Sequence, residues 1–142
     1  MRSVVLIPTY NEIDSLPTAL DRVRSAAVQA HILVIDDNSP DGTGDLADAR
    51  AQDDDHIHVL HRTEKNGLGP AYLAGFKWAL ENDFELIIEM DADGSHRAED
   101  LALLIQRAEI RAGSVAVLRR VGHKSVYCFR APETCTSTWP WG

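Results

Sequence analysis

The chain has 142 residues and a formal net charge of -8, which suits one domain with a sizeable core and argues against a nucleic-acid-binding face. An anionic substrate stays open, because a bound divalent cation reverses the local charge. Met1-Arg2 leads straight into a strand-like run, with no apolar stretch of signal-peptide length and no membrane span, so a cytoplasmic protein is expected.

Strand-like and helix-like segments alternate along the chain. Ser3 to Pro8 is a β-branched apolar strand closed by proline. Glu12 to about Val28 reads as a helix with Leu16, Leu20 and Val23 on one side and Asn11 as its N-cap. Ile32 to Asp36 is a second strand. Ser39-Pro40-Asp41-Gly42 is turn chemistry, and a short helix follows from Thr43 to Ala51. Ile57 to His61 is a third strand. Asn66-Gly67-Leu68-Gly69-Pro70 breaks the pattern before a helix over Ala71 to Leu80, with Leu73, Phe76 and Leu80 expected inward. Leu86 to Met90 is the fourth strand, and Glu99 to Ile110 the next helix. This order predicts an α/β fold, a mostly parallel sheet with helices on both faces. Beyond Ile110 the periodicity fails. Val115 to Leu118 suits a strand, but the stretch from Ala131 to Gly142 has no core pattern and is expected to be poorly ordered. Cys128 and Cys135 lack zinc-type partners and carry no assigned role.

The chemistry concentrates where strands end. Asp91-Ala92-Asp93 follows the fourth strand, and the carboxyl end of a strand is where open α/β sheets bind ligands. Hard oxygen donors of this kind suit Mg²⁺ or Mn²⁺ carrying a phosphorylated substrate. A solvated acidic loop would give the same letters. Asp36-Asp37 follows the second strand, where a carboxylate can accept N–H groups from a nucleobase; an Asx-type turn explains the segment equally well. Tyr10 offers a flat face for a base, and Glu12 can accept hydrogen bonds from a base or sugar, though helix capping by Asn11 and a first-turn glutamate need no ligand. Lys65, with Gly67 and Gly69, suits phosphates or a plain surface turn. His96 stands three residues after Asp93, which suits either a reach to a metal or sugar phosphate or an exposed loop histidine. His31, His56, His58, His61 and His123 show no ligand spacing.

Four segments together carry a resemblance: Val4-Val5-Leu6-Ile7-Pro8-Thr9-Tyr10-Asn11-Glu12, Val34-Ile35-Asp36-Asp37-Asn38-Ser39-Pro40-Asp41-Gly42-Thr43, Gly67-Leu68-Gly69 and Met90-Asp91-Ala92-Asp93-Gly94-Ser95-His96. Over residues 3 to about 109 the chain resembles the polyprenol-phosphate (dolichyl-phosphate) mannosyltransferases, which are inverting glycosyltransferases of the GT-A fold. The resemblance implies a GT-A (Rossmann-like) nucleotide-sugar-binding part over residues 1–110, incomplete at the C-terminus, and a divergent, disordered tail over 111–142. It implies GDP-mannose as donor, a polyprenyl monophosphate as acceptor and Mg²⁺ or Mn²⁺ as cofactor. By motif position, Pro8, Tyr10 and Glu12 border the nucleotide, and Ile35 and Asp37 hold the base. Asp91 and Ala92 also contact the nucleotide. Asp91, Asp93 and Ser95 hold the metal, and Asp93 is the candidate catalytic residue. Many family members have glutamine where Ser95 stands. The acceptor phosphate is already anionic, so in-line attack needs no strong general base, and metal offsets charge on the leaving diphosphate. A lipid acceptor also implies work at the cytoplasmic face of a membrane and leaves room for a membrane-embedded partner protein.

The family pattern continues with a G-S-R-type stretch, a W-P and amphipathic helices, which this chain lacks; Arg119 and Arg120 do not match that context. Codon degeneracy over Val121 to Gly142 permits a family-like string in an alternate frame, so a frameshifted tail, weak transferase activity and an uncovered helix face are expected. Two other readings stand beside this one. The first is an aspartate-based phosphoryl-transfer enzyme, although those place D-x-D after the first strand. The second is a non-catalytic nucleotide-sugar-binding remnant.

Overall fold

The computed structural model describes residues 2–63, 65, 67–93, 98, 101–110, 116–121 and 124–130. Its elements run β1 (Ser3–Thr9), α1 (Leu16–Ala26), β2 (His31–Asp36), α2 (Thr43–Asp53), β3 (Ile57–His61), α3 (Leu68–Glu81), β4 (Leu86–Glu89), α4 (Leu101–Ile110), β5 (Ala116–Val121) and β6 (Lys124–Arg130). They build one sheet in the order β3-β2-β1-β4-β6-β5. Strands β1 to β4 pair in parallel, β6 runs antiparallel to β4, and β5 antiparallel to β6. The α/β fold expected from the alternating segments is the one found.

Chain direction decides which helix lies on which face. The steps from β1 to β2 and from β2 to β3 move one way along the sheet, and right-handed crossovers put α1 and α2 on the same face. The step from β3 to β4 moves back past β1, so α3 lies on the opposite face. The core divides accordingly. Leu16, Leu20 and Val23 of α1, Ala47 of α2 and Leu101 of α4 pack with Val5, Ile7, Ile32 and Val34. Ala71 and Ala79 of α3 pack with Val4, Leu6, Leu33 and Ile35 on the other side. Both faces of β1 are covered, so its sequence is a continuous apolar run rather than an alternation. Each fully buried Leu or Ile here contributes about 1.5–3 kcal/mol.

Five local expectations change. Helix α1 starts at Leu16 with Ser15 as N-cap and Pro17 in its first turn, not at Glu12. Asn11 is not a cap; it takes the left-handed conformation at φ 53. Helix α3 starts at Leu68, so Gly69 and Pro70 lie inside its first turn, where the missing proline N–H removes no helical bond. Leu73 is 58% exposed rather than inward, and the face against the sheet is Ala71, Gly75 and Ala79. A Cβ on Gly75 would lie 2.5 Å from Ile35 Cδ1 and 3.0 Å from Leu6 Cδ1, so the helix sits closer than larger side chains would allow. Strand β5 answers the strand expected near 115–118. Strand β6 arises in a stretch where no period was visible, which corrects the reading of 111–142 as a wholly disordered tail. Residues 131–142 lie outside the described residues.

Candidate active site

The four parallel strands end along one edge of the sheet, and backbone hydrogen bonds beyond the ladder tie those ends together. Met90 N–H donates to Leu6 O at 2.9 Å, Asp37 N–H to Thr9 O at 3.1 Å, and Arg62 N–H to Asp36 O at 2.8 Å. Strand order reverses at β1, with β2 on one side and β4 on the other. Such a reversal opens a crevice at the carboxyl edge. Pro8, Tyr10 and Glu12 come to this edge from β1, Ile35 and Asp37 from β2, and Asp91, Ala92 and Asp93 from β4.

The two neighbouring aspartates after β2 have different tasks. Asp36 is buried, and three donors occupy its oxygens: Thr9 Oγ1 at 2.8 Å, Ser39 Oγ at 2.6 Å and Ser39 N–H at 3.0 Å. It holds the β1 and β2 exits together. Asp37 is 6% exposed and faces Arg62, whose guanidinium donates to Oδ1 at 3.1 Å. Burial raises the Asp37 carboxyl above its ordinary value, and the Arg62 charge opposes that rise.

The turn segment from Ser39 to Thr43 laces the first loop to the second. Asn11 N–H donates to Ser39 Oγ at 3.0 Å, Glu12 N–H to Thr43 Oγ1 at 3.0 Å, and Ile13 N–H to Asp41 Oδ2 at 3.2 Å. Asp41 also accepts from the Thr43 hydroxyl and from Thr43 N–H, and these contacts, the hydroxyl first, hold its carboxyl below the usual range. The Glu12 carboxylate accepts from Ser15 Oγ at 2.7 Å, so part of its capacity is used within its own loop. Tyr10 is 37% exposed, and Lys65 Nζ rests 4.1 Å from its ring centroid, within cation–π range. Pro8 is buried. The Ile35 side chain is fully buried against the α3 side of the core, so any contact it makes with a ligand comes from its backbone.

Asp91 and Asp93 are approached from different layers. Tyr72 of α3 donates its phenolic O–H to Asp91 Oδ1 at 3.3 Å. Asp93 is exposed and borders a cavity of about 250 Å³ with Ser15, Thr18 and Arg22 on the α1 side. Ala92 between them is buried in the α1-side core. Burial, followed by the Asp91 charge, pushes the Glu89 carboxyl up to about 7. Burial and then the Asp91 and Glu89 charges drive the Tyr72 phenol far above its ordinary range, so it remains a protonated donor. Among the described residues, no group of three or more His, Cys, Asp or Glu could hold a metal by itself. Two carboxylates with substrate phosphates are nevertheless the usual donor set for Mg²⁺ or Mn²⁺, and Asp91 and Asp93 fit it. Ser95 and His96 lie outside the described residues.

Among the described residues, His31, His56 and His58 stand apart from this edge, and His61 ends β3 beside Asp36. At the opposite end of the strands, His31 Nδ1 lies 3.0 Å from His58 Nε2, and the His31 ring stacks on His56 with centroids 4.5 Å apart. His61 Nε2–H donates to Asp48 at 2.8 Å. Tyr72 was not singled out from the sequence. The signal that points to it is the helical glycine three residues later, which marks a close helix–sheet approach. Among the described residues, no helix is long and apolar enough to cross a membrane.

Residues 4–138 match the family model described as glycosyl transferase family 2. That match runs past residue 110, through the stretch expected to be divergent. The chain is 58% identical over 106 residues to undecaprenyl-phosphate mannosyltransferase of Micrococcus luteus, covering 75% of this chain and 44% of the relative. It is 48% identical over 141 residues to polyprenol monophosphomannose synthase of Mycolicibacterium smegmatis, covering 99% of this chain and 49% of the relative. The chain thus spans less than half the length of either relative. Among solved structures, the mannosyltransferase PcManGT of Pyrobaculum calidifontis, in complex with GDP-Man and Mn²⁺, aligns with a TM-score of 0.72 at 19% identity, covering 91% of this chain and 44% of that one. That likeness shows the shared fold. The strand-end motifs, the sheet topology and the family match lead to one conclusion: the chain belongs to glycosyl transferase family 2 and resembles the polyprenol-phosphate mannosyltransferases within it.

Proposed function

We propose that this chain carries the donor-binding half of a mannosyltransferase that moves mannose from GDP-mannose to a polyprenyl monophosphate, with inversion and with a divalent cation. One observation carries the reading. Three acidic and aromatic groups separated in sequence, Tyr10 with Glu12, Asp37, and Asp91 with Asp93, share one sheet edge at the β1 reversal. The names of the relatives supply the sugar and the lipid class.

In this reading Tyr10 takes the base on its ring face and Asp37 accepts base N–H groups, with Arg62 keeping it ionised despite burial. The backbone of Ile35 and the tight Pro8 exit shape the base slot, and Glu12 accepts from the nucleotide. Asp91 and Asp93, with Ser95 beside them, hold the cation, and Asp93 is the group nearest the reacting centre. The chemistry supplied by a bound cation is neutralisation of the charge that grows on the leaving diphosphate. The acceptor is itself anionic, so no side chain need remove a proton from it. We assign the acceptor contacts to the part of the relatives this chain does not match. The lipid brings the protein to a membrane surface.

Calorimetry tests the donor site: GDP-mannose with Mn²⁺ should bind, and UDP-glucose should bind more weakly. Asp91→Ala should weaken the Mn²⁺-dependent binding by about tenfold or more. Transfer from labelled GDP-mannose to undecaprenyl phosphate should be lost with EDTA. Donor binding that ignores both EDTA and Asp91→Ala would overturn the reading.

A further inference from the structure

We propose that Tyr72 is a positioning residue that fixes the rotation of the Asp91 carboxylate for a divalent cation. The inference rests on the reading of Asp91 as a metal ligand. Asp91 stands two residues past the end of β4, so no ladder pairing holds it. An aspartate at such a position turns about its own side-chain bonds unless another group constrains it. Tyr72 supplies that constraint from a different layer of the fold. Its ring packs against the α3-side core, which leaves the hydroxyl little freedom. A phenol can donate one proton, and a carboxylate can only accept it. The 3.3 Å bond therefore runs from Tyr72 to Asp91 Oδ1. Its length is at the long end of the hydrogen-bond range.

The helix is seated so that the reach succeeds. Gly75, one turn after Tyr72, lies against Leu6 and Ile35 with no room for a Cβ. That contact draws α3 onto the sheet near β1, the strand beside β4. Residues that orient a metal ligand in this way commonly affect metal affinity more than stability.

The experiment compares the parent chain with Tyr72→Phe, Gly75→Ala and Asp91→Ala. Mn²⁺ binding is followed by the loss of the free Mn²⁺ electron-spin signal, with GDP present. Affinity for GDP without metal and the melting temperature are measured in parallel. Tyr72→Phe keeps the ring and should weaken Mn²⁺ binding about tenfold, with metal-free GDP affinity changed by less than about twofold and melting within a few degrees of the parent. Gly75→Ala keeps the hydroxyl but lifts the helix, and should shift Mn²⁺ affinity in the same direction. Unchanged Mn²⁺ affinity in Tyr72→Phe, where Asp91→Ala has lost it, overturns the positioning role alone. Unchanged affinity in Asp91→Ala overturns the metal reading, and this proposal with it.

Discussion

The Arg62 guanidinium lies 3.1 Å from the Asp37 carboxylate, and both side chains are largely buried at the carboxyl edge of the sheet. Burial raises the Asp37 carboxyl and Arg62 restrains it. Only the ionised form accepts from two base donors, so acid should weaken nucleotide binding at a higher pH than for an ordinary carboxylate. Arg62→Ala removes the restraint and moves that loss to still higher pH. The raised value acts oppositely on folding: ionising Asp37 costs more in the native chain, so its own contribution to stability falls as pH rises through its native value. GDP affinity of parent and Arg62→Ala, titrated from pH 4 to 8, checks the first point.

Asp36 and Asp37 should separate cleanly in mutants. Asp36→Ala strands the Thr9 and Ser39 hydroxyls at the strand exits and should lower stability by about 2–3 kcal/mol. Asp37→Asn keeps the shape and should melt within a few degrees of the parent while weakening GDP binding about tenfold. Thermal melts beside calorimetry give both readings.

The histidine stack makes folding sensitive to mild acid. Burial, then the His56 and His58 charges, lower His31 to about 4 from 6.5, and burial also lowers His58. Between those two values the unfolded chain binds a proton that the folded chain refuses. Stability is therefore full above about pH 6.5 and falls as pH drops toward 4, by on the order of 2 kcal/mol for His31. Urea unfolding from pH 4 to 8 should show that slope, and His31→Leu should flatten it.

Gly75→Ala should cost about 1–3 kcal/mol, because the new methyl meets buried Leu6 and Ile35 side chains rather than a loose surface group. Ala79, one turn on, is also fully buried, yet already carries its methyl. A melting temperature unchanged by the Gly75 substitution would show that α3 shifts without resistance.

Much of this was legible in the sequence. The strand ends were, because continuous apolar runs closed by Pro8, Asp36-Asp37 and Asp91 mark a parallel sheet and its ligand edge. The inward face of α3 was not. Counting large apolar residues favours Leu73, whereas Ala71, Gly75 and Ala79 make the contact because the sheet lies so close. The start of α1 was misplaced because Asn11-Glu12 reads as a cap, while the chain spends those residues bonding to Ser39 and Thr43. The different tasks of Asp36 and Asp37 depend on Thr9 and Arg62, partners from other strands. Tyr72 and Asp91 are 19 residues apart, and their meeting depends on the crossover that carries α3 to the opposite face.

The Lys65 ammonium covers the ring that a base would occupy. On the proposed reading, a base arriving there must slip between amine and phenol or displace the amine. Either way one positive charge stands at that ring, on a body of charge -8. If the proposed donor binds there, a body of this charge repels it at a distance, and its capture should depend on ionic strength.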